Sequence, residues 1–231
     1  MEQNEIKGKV LKKGVIWKDL YFYRKSDTIY QLTVEFCKRF FPAHGDRTVD
    51  QMIQAARSGK QNIVEGSEDG LTSSEMEIKL LNVARGSLQE LRADYLDYLN
   101  TRHLSVWSKE NERQQRLRAF CHSHNDYSDY EPLTGKMTAE EMSNLLLTLC
   151  HQTDKMMCAY IEHLEKRFVE EGGIKERMYA ARTGYRQQQD ARLKALEAEN
   201  QQLKAENEAL RKRIKSLERQ CLEILRNARQ F

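Results

Sequence analysis

Residues 193–224 read LKALEAENQQLKAENEALRKRIKSLERQCLEI, and the apolar residues in that stretch recur every seven. Leu196, Leu203, Leu210, Leu217 and Ile224 fall at one position of a heptad, d, and Leu193, Asn200, Asn207, Ile214 and Cys221 at the other, a. That repeat is the seam of a coiled coil. The flanking charges test the register independently, because in a parallel pair each g residue faces the e residue five places later on the partner. The resulting pairs are Glu199 with Lys204, Glu206 with Arg211 and Arg213 with Glu218, all opposite in sign. Two asparagines at a favour two strands, since each can hydrogen-bond its counterpart across the axis and penalises other registers. Unpartnered, the leucines would leave an apolar stripe wet along roughly 55 Å.

Working back from the zipper, Gly172-Gly173 separates it from a chain whose helices are amphipathic rather than heptad-repeated. Ile29, Leu32, Thr33, Phe36, Cys37 and Phe40 recur at three and four, which predicts a helix over about 26–41 closed by Pro42. A second is expected after Asp46 or Thr48, with the stripe Met52, Ile53, Ala56, Gly59 and Ile63, ending at Gly66 and Gly70. Its small residues let a neighbour approach closely. Thr72-x-x-Glu75 reads as a capping box for a third helix through Met76, Leu80, Val83, Ala84, Leu88, Leu91, Tyr95, Tyr98 and Leu99. Thr138-x-x-Glu141 opens a fourth through Met142, Leu145, Leu146, Leu149, Met156, Met157, Tyr160, Ile161, Leu164 and Phe168. Between them, residues 102–137 read as a polar excursion with one short helix near 109–120. Four amphipathic helices can bury their stripes only against one another. The expected fold is therefore all-α, an antiparallel four-helix bundle over 18–171 with an arm at 1–17. A basic linker helix and parallel coiled coil follow over 174–231, the zipper spanning about 193–226.

Composition agrees with helices that keep one wet face: 32% of the 231 residues are charged and 39% hydrophobic, and there are two prolines, Pro42 and Pro132, both expected between helices. The absence of an apolar run of membrane-spanning length predicts no membrane partner. Five cysteines without a CxxC pair suit thiols used as small hydrophobes in a reducing, cytoplasmic setting. The net charge of +3 is uneven: residues 174–231 hold fourteen Lys/Arg against eight Asp/Glu, leaving the rest at −3.

Two stretches resemble a known family. Gln54-Ala55-Ala56-Arg57-Ser58-Gly59-Lys60-Gln61-Asn62-Ile63-Val64-Glu65-Gly66 is similar to its small-residue helix ending in Asn-Ile-x-Glu-Gly. Residues 77–91, EIKLLNVARGSLQEL, are similar to its Leu-x-x-Ala-x-Gly-Ser-Leu-x-Glu-Leu helix. The family is that of the four-helix-bundle proteins first noticed in intervening sequences of bacterial 23S ribosomal RNA genes, with the accessory variability determinant of retroelements among its members. The longer opening, the excursion and the zipper look like its four-helix-bundle suffix-type branch. The resemblance implies a bundle without catalytic activity and, in the retroelement branch, a basic pentameric ring that binds nucleic acid and a reverse transcriptase. Here the bundle region is slightly acidic and the zipper favours a dimer.

No catalytic or cofactor motif is present, and the cluster Cys121, His122, His124, Asp126, Asp129 and Glu131 matches no closed four-ligand metal spacing. The candidate nucleic-acid contacts are Arg57 and Lys60, three apart on one helix, and the linker arginines Arg177, Arg182, Arg186 and Arg192. Against that, Arg57 and Lys60 suit solvation or pairing with Glu65 and Asp50. With five basic residues, two acids and Gly184 over 175–192, the linker is sparse for a basic-zipper DNA reader. The leading expectation is a non-enzymatic oligomeric scaffold or adaptor, within a nucleoprotein assembly. The alternative is an accessory protein that binds RNA or DNA directly through backbone contacts.

Overall fold

Each stretch read as amphipathic is helical in the computed structural model, which describes the backbone of residues 16–42 and 46–228 and the side chains of those up to 220, Glu171 excepted. The protein is all-helical, with no strand among the described residues: α1 Tyr21–Phe40, α2 Arg47–Asp69, α3 Ser74–Thr101, α4 Glu112–Ser123, α5 Tyr127–Thr134, α6 Ala139–Glu171 and α7 Ile174–Ala228. No helix among them is long and apolar enough to cross a membrane. The chain divides into two compact units, Met1–Arg177 and Met178–Phe231. Of the expected arm, residues 1–15 lie outside the described residues. Trp17 opens a short 3-10 turn and meets Tyr23 edge to face at 4.5 Å.

In the first unit α1 packs on α2 and α6, and α3 packs on the same two helices, closing a ring of four. Contacts between neighbours in that ring pin the pairs: Lys60 of α2 meets Asp27 of α1, and Asp154 of α6 meets Arg85 of α3. Phe36, Leu32, Met52, Ile63, Leu88, Leu91, Leu145 and Leu149 are fully or almost fully buried at its centre. Across the diagonal the fully buried Tyr95 donates its hydroxyl hydrogen bond to Thr33 Oγ1 at 2.8 Å, so the one polar atom on that ring is satisfied. Thr138 and Glu141 form the capping box read from the sequence, and Gly172, at φ +71°, ends α6 in a conformation that suits glycine.

The boundaries differ from expectation in four places, each for a local physical reason. α1 begins five residues early because Lys25, Ser26 and Thr28, which break the apolar period, are buried by hydrogen bonding rather than by hydrophobicity. Lys25 Nζ donates to the carbonyls of Cys121 and His124, and Thr28 Oγ1 to that of Asn125. α2 runs through Gly66, which lies buried within the helix instead of ending it. The cap of α3 is Ser73, whose hydroxyl accepts from the Met76 N–H, and the buried face follows Leu81, Ala84, Leu88 and Leu91 while Met76 and Val83 stay exposed. Finally, the excursion holds two short helices, α4 and α5. Pro132 sits in the second turn of α5, where it forgoes a single helical hydrogen bond.

The two glycines of the family-like motif in α2 lie where α3 packs closely against it. A Cβ on Gly59 would lie 3.0 Å from Leu88 Cδ2, and one on Gly66 would lie 3.2 Å from Leu80 Cβ and 3.4 Å from the Glu77 carbonyl oxygen. Gly66→Ala is therefore expected to destabilise the protein by about 1–2 kcal/mol despite its better helix propensity, because backbone rather than a flexible tip must yield. At Gly86 a Cβ would meet nothing within 4 Å, and the expected sign is opposite. Gly86→Ala should stabilise by about 0.5–1 kcal/mol. Urea unfolding of both variants measures the pair.

Candidate functional site

α7 carries the heptad stripe on a helix of 55 residues. Leu193, Leu196, Leu203, Leu210, Ile214 and Leu217 are each between 51% and 56% exposed, an apolar row with more than half of every side chain in water. The Cys221 and Ile224 side chains lie outside the described residues. Asn200 is exposed, and Asn207 turns its amide back to donate to the Leu203 carbonyl at 3.0 Å, a substitute partner on its own helix. Among the described residues, none of Glu199, Lys204, Glu206, Arg211, Arg213 and Glu218 makes an ion pair within the chain.

The cations singled out from the sequence differ in their surroundings. Arg57 is exposed, but Lys60 is only 23% exposed; its Nζ lies 3.1 Å from Asp27 Oδ1 and 4.3 Å from the Tyr30 ring centroid, tying α2 to α1 rather than pairing with Glu65 or Asp50. Arg177 has Nε and Nη2 buried without a hydrogen-bond partner among the described residues, which withdraws both from a phosphate. Arg182, Arg186 and Arg192 are exposed along α7. The stretch weighed as a metal-ligand loop is largely helical: Cys121 is fully buried in α4, where burial pushes its thiol up to about 11, and Asp126 is held by Arg24, whose hydrogen bond lowers its carboxyl.

A basic groove forms from cations that lie scattered along the chain. A cavity of about 340 Å³ between α3, α4, α6 and the 102–111 segment is lined by Arg92, Lys109, Arg118, His151 and Lys155 and by no carboxylate among the described residues. It shares Arg118, Gln152 and Lys155 with a neighbouring cleft of about 570 Å³ that adds Lys25 and His122, again without a carboxylate. The spacing of four places Arg118 and His122 on one face of α4, and His151 and Lys155 on one face of α6. Side-chain amides stitch the walls together: Gln114 Nε2 donates to Thr148 Oγ1 at 3.0 Å and Gln152 Nε2 to the Arg118 carbonyl at 3.0 Å. Asn144 fixes the 102–111 segment, accepting from the Trp107 N–H at 2.9 Å and donating to the Ser105 carbonyl at 2.9 Å.

The electrostatics follow from that lining. Burial depresses the His151 pKa below its ordinary 6.5, and the cations Lys155, Arg92 and Arg118 depress it further. The carboxylate of Asp154 opposes the shift but is engaged by Arg85 Nε at 2.8 Å. No ion pair is made by Arg92, Lys109, Arg118 or Lys155 among the described residues. The acids lie elsewhere: a groove between α2 and α3 presents Asp50, Glu90 and Asp94, and burial together with Asp97 and Glu90 raises the Asp94 carboxyl. A unit of slightly negative total charge thus separates its charges onto different grooves, which a sequence sum conceals. The groove cations come from three helices and a turn, so the signal in the sequence was limited to the two i,i+4 pairs. No family profile matches the chain, and no curated protein or solved structure matches it.

Proposed function

We propose that the protein is a non-enzymatic, homo-oligomeric scaffold or adaptor: an antiparallel four-helix bundle of α1, α2, α3 and α6 carried on a parallel, two-stranded coiled coil of residues 193–226. The observation that carries this reading is the row of half-exposed leucines on α7 at heptad spacing, flanked by charges that make no ion pair among the described residues. An exposed apolar stripe of that regularity marks an interface, and a second copy of the same stripe supplies complementary a/d layers and opposite g/e′ charges at once. The family-like motifs support the bundle, since their glycines lie where α3 packs closely on α2. The test is solution mass by light scattering. The intact chain is expected as a dimer and a chain ending at Gly173 as a monomer. A truncated chain that remains pentameric would move assembly to the bundle and overturn the zipper as the oligomerisation device.

A second reading, direct binding of RNA or DNA through the phosphate backbone, is favoured by one observation: the groove lined by Arg92, Lys109, Arg118, His151 and Lys155 without a counter-carboxylate among the described residues. Unpaired cations gathered in one groove repel each other and are neutralised together by a polyanion. The two readings are compatible, because self-pairing would double the number of grooves per particle.

A further inference from the structure

We propose that the cleft between α4 and α5 docks a short acidic, amphipathic segment of a partner protein. α4 packs on α6 and α5 packs on α1, and a cleft of about 580 Å³ opens between them. Its apex is fixed from several sides: Lys25 holds the carbonyls of Cys121 and His124, Tyr130 donates to the His124 carbonyl at 2.9 Å, and Phe120 stacks on His124 at 4.0 Å. The arms are therefore preformed, which lowers the ordering cost of binding. Tyr130 and Leu145 are fully buried beneath the cleft, while Leu117, Phe120 and Leu133 form its apolar walls, Leu133 being 39% exposed.

The charge of the rim selects the occupant. Arg113, Arg116 and Lys136 line the cleft with one carboxylate, Glu141, and that carboxylate is already engaged by the Thr138 N–H and hydroxyl at 2.9 and 3.0 Å. The ionic neighbour of Arg116 among the described residues is Glu112, at 3.9 Å and largely in water, so little of its charge is neutralised. Apolar walls with a net cationic rim, three cations against the one lining carboxylate, complement apolar anchors flanked by Asp or Glu. α4, at twelve residues, spans roughly 18 Å, which seats about three turns of a helix. A small molecule in a cleft open along its length would keep much of its surface wet, whereas a segment of a protein covers it.

This inference rests on the adaptor reading and names its partner's chemistry, but it is independent of how α7 pairs. The experiment selects peptides from a displayed random library against the intact protein and measures one recovered peptide by fluorescence polarisation against Leu133→Glu and Arg116→Glu, two exposed positions whose replacement should leave helicity and thermal midpoint unchanged. Recovered peptides are expected to combine Asp/Glu with Leu, Phe or Trp, to bind Leu133→Glu at least about 30-fold more weakly, and to bind Arg116→Glu several-fold more weakly. Basic peptides, peptides indifferent to both variants, or no peptide would overturn the proposal. So would a change of solution mass in Leu133→Glu, which would seat a second copy in the cleft. Failure of the adaptor reading itself would appear separately, as a monomeric intact chain.

Discussion

A chain carrying Leu203→Glu and Leu210→Glu is expected to be monomeric at concentrations where the unaltered protein is a dimer. Both residues fall at d, and each keeps slightly more than half its surface in water on a single helix. Pairing would remove that surface from two side chains per layer in two layers. With full burial of a leucine contributing about 1.5–3 kcal/mol, the half that remains amounts to about 1 kcal/mol for each of four side chains. Placing glutamates face to face in the seam adds like-charge repulsion and desolvation. A loss of at least about 4 kcal/mol raises the dissociation constant by about 10³-fold or more. Light scattering and sedimentation read the mass; circular dichroism should lose α7 helicity, because a long polar helix without tertiary packing is marginal in water. A charge swap tests the register. Glu199→Lys alone sets like charges opposite Lys204 and weakens the pair, whereas adding Lys204→Glu restores it if the strands run parallel and in register. Recovery failing in the double variant would point to antiparallel strands.

The helical class was legible because a period is a local property: Leu196, Leu203, Leu210 and Leu217 announce their spacing without reference to anything distant. The four long helices were legible for the same reason, and so was the Thr138–Glu141 box, which spans one turn. What the sequence concealed was long-range. Lys25, Ser26 and Thr28 lie outside the apolar stripe read for the first helix, yet Lys25 and Thr28 are buried by hydrogen bonds to carbonyls about a hundred residues away, with Ser26 between them. Polar burial of this kind leaves no hydrophobic signature. The periodicity places Met76 and Val83 on the inner stripe, whereas both are exposed and Glu77 is buried and accepts from the Tyr160 hydroxyl at 3.1 Å. Proximity along the chain says nothing of a cation's partner in the fold, and Lys60 is paired with Asp27. Conversely, Arg92, Arg118 and Lys155 come from α3, α4 and α6, and only the folded ring of helices makes them neighbours.

That regrouping of cations makes a second strong prediction. Should the protein bind nucleic acid directly, the triple variant Arg92→Ala, Arg118→Ala, Lys155→Ala is expected to lose about 10²–10³-fold in affinity for a short single-stranded oligonucleotide at low salt. If Arg92, Lys109, Arg118 and Lys155 each neutralise one phosphate, the logarithm of the binding constant should fall with the logarithm of salt at a slope of about −3, and the triple variant should flatten it to about −1. The His151 shift adds a pH signature. Its folded pKa lies below the ordinary 6.5, so in the free protein the unfolded chain binds more protons between those two values, and stability there rises with pH. A bound polyanion favours the imidazolium, so oligonucleotide affinity should increase as pH falls through the same window, and His151→Gln should remove the dependence. Fluorescence anisotropy across salt and pH measures both. Affinity that instead follows Arg57, Arg182, Arg186 and Arg192 would return the contact to the outer faces of α2 and α7. Affinity absent at every salt concentration would leave the groove without this ligand and the adaptor reading to stand on α7 alone.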